Sequence, residues 1–252
     1  MFSSERPVIV DVHVHLGFDY TFDEDFTRDE LVEKIESWDV DVQIVQPGTC
    51  HDLQRVREQH DNIASLCREY PKKFYGMANP SPHLPADQYD DEIRRCVEKL
   101  GFVAMKLNTI AHGVNPNTKS GRKAFEAAQR HGIPLMVHTG AGVPFAGPVN
   151  LIGLAGEYPD VKIIMAHCGM MLLANEAAAV FNACDNVYGD SSWTPGFYIK
   201  NWLREYGHRF MLGTDHADNT GTELAKIRTV GLTSGEQESV LGRTAAGVFT
   251  LG

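Results

Sequence analysis

The chain has 252 residues, 43% hydrophobic and 22% charged, and 23 basic against 33 acidic side chains leave a net charge of −10. This composition supplies a large core and excludes extensive disorder; with no Lys/Arg cluster it argues against nucleic acid or acidic lipid as a partner. The five cysteines (Cys50, Cys67, Cys96, Cys168 and Cys184) are odd in number, scattered and without a CxxC pair. Buried reduced thiols are expected, in place of a disulfide framework or a cysteine zinc site.

Residues 1–7 are polar and lack the apolar run of a signal peptide, and no apolar stretch approaches the ~18 residues of a membrane span. The expected setting is cytoplasmic, without membrane contact. The first short apolar run covers 8–15, and a helical period follows over Arg28–Trp38. Strand-like runs at 42–46, 74–79, 102–107, 134–139, 162–167, Val187–Asp190 and 210–214 then alternate with helical stretches that include 52–70, 87–100, Lys119–His131 and 200–205. Gly101 and Gly132 follow helical patterns, where a left-handed cap is favourable, and Pro71 and Pro159 end the stretches before them. The strands are nearly continuous apolar runs, as expected where both faces of a parallel sheet are buried. Eight such units, in a length close to the ~250 residues of a β/α barrel, predict an α/β chain: a single-domain (β/α)8 TIM barrel over 1–252. An open doubly wound sheet is the structural alternative, but the GxGxxG fingerprint that would support it is absent after the first strand.

In such a barrel the catalytic face is the C-terminal end of the strands, and metal-competent residues fall there repeatedly. His13 and His15 close the first strand, Lys106 nears the end of the fourth, His138 ends the fifth, His167 ends the sixth, and Asp215 follows the eighth. Residues i and i+2 of a strand share a side, so the HxH pair can converge on one ion. Catalytic zinc typically takes three protein ligands and keeps a position for water. Asp215 fits a ligand, a base for bound water, or both. Each residue alone has a structural reading: polar groups at a core rim for the histidines, a solvated lysine, a helix cap for Asp215. Their joint placement favours the metal reading. Asn108, Asp190, Trp193 and His216 are the candidate substrate contacts, with Asp218 beside them and packing as the rival role for Trp193. His51, His60, His83, His112, His131 and His208 show no converging partner and are expected at the surface. The Gly/Pro-rich loop 139–150 is either a cover for the site or a plain connector.

The ordered set resembles the amidohydrolase superfamily, and more closely its amidohydrolase-2 branch of TIM-barrel metal-dependent hydrolases, which includes aminocarboxymuconate semialdehyde decarboxylase. The resemblance runs end to end through DVHVH at 11–15, GFVAMKLN at 101–108, PLMVHTG at 134–140, IIMAHCG at 163–169, NVYGDSS at 186–192 and LGTD at 212–215. It departs at Thr244, where the family usually has Asn, and at Gly207-His208-Arg209, which lacks the usual Asp. The resemblance implies that His13, His15, His138 and Asp215 hold a catalytic divalent ion, commonly Zn2+, with Mn2+ or Fe2+ as alternatives. It implies that His167 faces the substrate. In other branches a strand-four lysine is carboxylated and bridges two metals, with equivalents of His138 and His167 on the second. Lys106 matches that position by order, so two ions stay open, but one is expected first because the closer branch generally uses one. A homodimer is also implied.

Three functions follow for a small-molecule substrate. The first is hydrolysis of an amide, lactone or ester by metal-activated water, with Asp215 as base and His167 or the metal stabilising the oxyanion. The second is non-oxidative decarboxylation, or hydration, of a small aromatic or unsaturated acid on the same site. The third is a non-catalytic ligand-binding barrel, against which the complete ligand set argues. Relatives that decarboxylate phenolic acids often carry Glu in place of the first histidine, so His13 leans toward hydrolysis or the muconate type of decarboxylase.

Overall fold

The computed structural model describes residues 6–140 and 142–251. Residues 1–5, on which part of the signal-peptide reading falls, and residue 141 of the 139–150 loop lie outside the described set. Nine strands form one sheet: β1 (Val10–Asp19), β2 (Glu24–Phe26), β3 (Val42–Pro47), β4 (Phe74–Ala78), β5 (Ala104–Leu107), β6 (Leu135–His138), β7 (Ile163–Ala166), β8 (Val187–Asp190) and β9 (Phe210–Met211). Every neighbouring pair from β1 and β3 through β8 and β9 is parallel. The ends of the sheet meet: Val12 N–H donates to Leu212 O at 2.9 Å and Asp215 N–H to His13 O at 2.7 Å. The eight parallel strands therefore close into the expected TIM barrel.

The helices are α1 (Arg28–Trp38), α2 (Leu53–Glu69), α3 (Ala86–Glu98), α4 (Lys119–His131), α5 (Leu151–Glu157), α6 (Ala174–Ala183), α7 (Gly196–Tyr206), α8 (Thr220–Thr229), α9 (Ser234–Glu238) and α10 (Thr244–Val248). Local chemistry sets their ends. Thr27 and Glu30 form a capping box on α1, Asp52 and Thr118 cap α2 and α4, and Gly132 ends α4 in the left-handed conformation. No described helix is long and apolar enough to cross a membrane.

The apolar residues divide into two layers. Val10, Val12, Ile44, Met77, Ala104, Met136, Ile164 and Met211 fill the barrel interior, with Val248 and Phe249 packed beneath. A second cluster, including Val14, Leu16, Val45, Leu107 and Val137, packs the outside of the strands on the helices. Strand β1 crosses from one layer to the other. Its register against β3 shifts between Asp11 and Val14, a bulge that reverses the alternation. Val10 and Val12 point inward, Val14 and Leu16 outward, and His13 and His15 are thereby turned to the barrel interior.

Some elements exceed the sequence reading. β1 runs on to Asp19 and pairs antiparallel with β2, giving a hairpin over the mouth of the barrel. Conversely, β9 is shorter than the 210–214 run: Leu212 N–H turns to Val240 O at 2.8 Å, and the chain regains the sheet only in a single bridge between Asp215 and Val14. Two histidines expected at the surface are buried. His112 is 2% exposed, and His60 is 0% exposed between α2 and α3. His60 Nδ1–H donates to Glu92 at 2.7 Å, and its Nε2 accepts from Asn79 N–H at 3.0 Å. Glu92 also accepts from Arg57 and Arg95.

Burial opposes ionisation of Glu92, but the His60 and Arg95 hydrogen bonds outweigh it and hold the carboxyl down at about 2. Burial lowers His60 from its ordinary 6.5. Stability from Glu92 is complete above the unfolded value of 4.5 and is lost as pH falls toward about 2. The neutral His60 likewise stabilises above pH 6.5 and loses ground below it. Urea unfolding followed by circular dichroism is thus expected to shift to lower midpoints from pH 6.5 downward. Glu92→Ala should cost about 3–5 kcal/mol at pH 7 and flatten the acid limb. An unchanged midpoint in the variant would refute the role of this network.

Candidate metal centre

The HxH pair reaches the catalytic face because the β1 bulge turns it inward, and Asp215 meets it because β9 closes on β1. Asp11 fastens that seam. It is fully buried, and accepts from His13 N–H at 3.2 Å, Thr214 N–H at 3.1 Å and Thr214 Oγ–H at 2.7 Å. Above it, His13 Nε2 and His15 Nε2 lie 3.1 and 3.3 Å from the same Asp215 oxygen, Oδ1. Two ring nitrogens and a carboxylate oxygen in mutual contact need a shared cation, either protons or a metal ion. His138 ends β6 on the same cavity but outside the close group of His13, His15 and Asp215, with its buried Nε2 lacking any partner among the described residues. Its ring stands edge-on to His167, centroids 4.9 Å apart. This donor set fits a divalent ion.

One carboxylate behind the site orients two of these histidines. Asp190 Oδ2 accepts from His13 Nδ1–H at 2.5 Å. Asp190 Oδ1 accepts from Ser192 N–H at 2.7 Å and from Ser192 Oγ–H, and that hydroxyl oxygen accepts from His167 Nδ1–H at 2.8 Å. Both imidazoles are thus held with the proton on Nδ1 and Nε2 directed forward, the arrangement by which outer carboxylates prepare histidine ligands. Gly213 leaves room for this device: a Cβ there would come within 2.8 Å of the Asp190 carboxyl carbon.

A cavity of about 290 Å³ opens in front and is lined by His15, Lys106, Asn108, His138, His167, Trp193, Asp215 and His216 among others. Trp193, expected either here or in packing, is at the cavity and donates its indole N–H to Asp215 Oδ2 at 2.7 Å. His216 Nε2 lies 3.6 Å from the same oxygen. Asn108 lines the wall but spends its side chain locally, donating to Thr49 Oγ1 and accepting from Ala111 N–H. Asp190, read from sequence as a substrate contact, is instead fully buried behind His13 and absent from the lining. Asp218 is exposed outside the cavity, and no described residue of the 139–150 loop lines it. Sequence reasoning missed Ser192, Gln46, whose amide Nε2 stands 3.0 Å from His15 Nε2, and Phe26, which the β2 hairpin lays 5.1 Å from the His15 ring.

An amidohydrolase family model matches residues 10–251. The chain belongs to that family. Among curated proteins, 2-amino-3-carboxymuconate-6-semialdehyde decarboxylase of Dictyostelium discoideum is 25% identical over 121 residues, covering 44% of this chain. The match spans 33%, about a third, of that relative's own length. Among solved structures, 5-carboxyvanillate decarboxylase of Novosphingobium aromaticivorans, complexed with manganese and 4-hydroxy-3-methoxy-5-nitrobenzoic acid, superposes with a TM-score of 0.80 at 16% identity, covering 100% of this chain and 98% of that one. A 2,6-dihydroxybenzoate decarboxylase with 2,6-dihydroxybenzoate gives 0.78 at 16% identity, covering 98% and 99%. At these identities the structures establish the shared barrel.

The amidohydrolase site separates its charges by environment. Burial alone would raise Asp190, yet the charge and hydrogen bond of His13 prevail and hold it down at about 2. Burial and the Lys106 ammonium disfavour protonation of His13, but Asp190 and Asp215 outweigh them and the net shift is upward. Burial pushes His167 down to about 4, and pushes His138 well below the ordinary range with His167 and Lys106 adding to it. Burial lowers Lys106 to about 8. Five non-glycine residues of this face, His167, Cys168, Met170, Trp193 and Asp215, hold φ between +45° and +66°. Backbone in that region is costly and collects at functional sites.

Asp190→Asn cannot orient His13 and Ser192 as the carboxylate does. It is expected to weaken divalent-metal affinity about 10–100-fold in chelator competition, and to lower the melting temperature of the metal-free protein as well, since the fold holds this carboxyl down at about 2. Unchanged metal affinity would remove Asp190 from the centre.

Proposed function

We propose that this amidohydrolase is a metal-dependent, non-oxidative decarboxylase of a small aromatic or unsaturated carboxylic acid. The observation that carries the reading is the sequence match to a named decarboxylase, laid over a cavity with a buried ammonium and four histidines. Hydrolysis, the first expectation from sequence, uses the same residues but draws less support from these relatives.

His13, His15, His138 and Asp215 are the residues we assign to one divalent ion. Zinc suits these donors, and manganese accompanies the carboxyvanillate decarboxylase. When bound, the ion supplies positive charge to substrate oxygens that gain electron density. The chain's own groups do the rest. As the C–CO2 bond breaks, its electron pair stays on carbon, and a proton completes a C–H bond as CO2 departs. His167 is assigned to that proton. Its Nδ1–H is held by Ser192, its Nε2 is left for the cavity it lines, and Asp190 stands behind to stabilise the imidazolium that carries the proton. An anionic acid in front of His167 raises its proton affinity from the low value of the free site. Phe22, Phe26, Ile110, Met170 and Trp193 give the cavity apolar walls suited to a planar skeleton.

The test is CO2 release from a panel of hydroxybenzoic and unsaturated dicarboxylic acids, with protein loaded separately with manganese and zinc. Asp215→Asn and His167→Asn should each lower kcat by about 100-fold or more. Hydrolysis of a lactone or amide without CO2 release from any acid would sink the reading in favour of the hydrolase.

A further inference from the structure

Lys106 is the one Lys or Arg among the described residues lining the cavity, and it is 1% exposed. Its Nζ lies 3.0 Å from His13 Nε2, and among the described residues no carboxylate approaches it within ion-pair distance. A buried charge without a counter-charge is costly, and an ammonium has three donors of which His13 can receive one. The carboxylates around the cavity are otherwise engaged. Asp19 accepts from the backbone N–H groups of Thr21, Phe22 and Thr49, and Asp215 meets His13, His15 and Trp193. Glu24 sits in the exposed hairpin strand. The deep part of the cavity therefore holds a cation that Asp215 and Asp190 attract only from beyond ion-pair distance, leaving its donors open to a ligand anion beneath apolar walls.

We propose that Lys106 is a substrate-binding residue whose ammonium receives an anionic oxygen of the acid, a carboxylate or phenolate, that remains on the product. The distinction between retained and departing oxygens follows from the chemistry. CO2 leaves uncharged, so a cation placed on the departing carboxylate would stabilise the ground state more than the transition state. A cation on a retained oxygen keeps its grip throughout. The substrate class is accordingly a small acid with a second anionic oxygen. The proposal rests on the decarboxylase reading for the reaction, and it replaces the alternative in which Lys106 is carboxylated to bridge two metals.

Calorimetric titration with 4-hydroxy-3-methoxy-5-nitrobenzoate and with its uncharged methyl ether methyl ester separates charge from shape. It is run on metal-loaded and metal-free protein. In Lys106→Met and Lys106→Gln, affinity for the anion should fall about 10–100-fold while the neutral analogue binds as in the wild type, and Lys106→Arg should retain most of the discrimination. Equal losses for both ligands, or no loss, would overturn the assignment. So would a bicarbonate-dependent gain of one CO2 in intact mass, coupled to a second bound metal and abolished in Lys106→Met. The two readings fail differently. Lys106-dependent anion binding without CO2 release from any acid would remove the decarboxylase and keep this site. CO2 release with KM unchanged in Lys106→Met would do the reverse.

Discussion

The centre depends on one irregularity in β1. A strand that alternates without interruption and buries Val10 and Val12 inside the barrel would direct His13 and His15 outward, toward the helices. The register shift between Asp11 and Val14 reverses that phase, so the lower half of the strand contributes apolar filling and the upper half contributes ligands. The bulge must be held, and the fully buried Asp11 holds it by accepting from His13 N–H and from both donors of Thr214. The same carboxylate joins the first strand to the last. Ring closure, the aim of the two histidines and the approach of Asp215 are one structural event.

A second economy lies behind the ligands. Asp190 controls His13 directly and His167 through Ser192, so the tautomers of two rings separated by 154 positions in the chain answer to one buried carboxylate. Glu223 supports the same β8–α7 connection from outside. It accepts from Ser191 Oγ–H and Trp193 N–H and pairs with Lys226, whose ammonium also donates to Ser191 O at 2.7 Å. Trp193 is thereby held at φ +56° with its indole on Asp215. The strained residues of this face are fixed by hydrogen bonds on both sides, which is what a site of set geometry requires.

Much of this was legible in the sequence because barrel geometry converts chain order into spatial order. Apolar runs marked the eight strands, and a polar residue at the end of a run had to fall on one face; His13, His15, Lys106, His138, His167 and Asp215 all do. Side-chain partners were less legible, because pairing between distant elements leaves no local trace. Asp190 looked like a pocket residue, since strand-end position says which face a residue occupies and not how deep it lies. His60 looked superficial because its partner Glu92 is on the next helix. The β2 hairpin was missed for another reason: three residues, Glu24–Phe26, show no period long enough to register, yet they bring Phe26 over His15.

The reaction is harder to read than the centre, and the reason is physical. A divalent ion beside a carboxylate and a second-rank histidine can polarise a carbonyl, activate water or neutralise an enolate, and these chemistries place the same demands on the ligands. What differs is the charge the substrate brings. Esters, lactones and amides can arrive neutral, whereas an acid arrives as an anion that must be desolvated on entry, at a cost that only a fixed cation offsets. A metal centre already supplies one such cation. A second, Lys106, buried against His13 and without a carboxylate of its own, is superfluous for a neutral substrate and repels the ion across a shared imidazole. An anion lodged between them turns that repulsion into two attractions. The placement of one lysine therefore favours an anionic substrate, which the proposed decarboxylation requires and the metal ligands alone leave open.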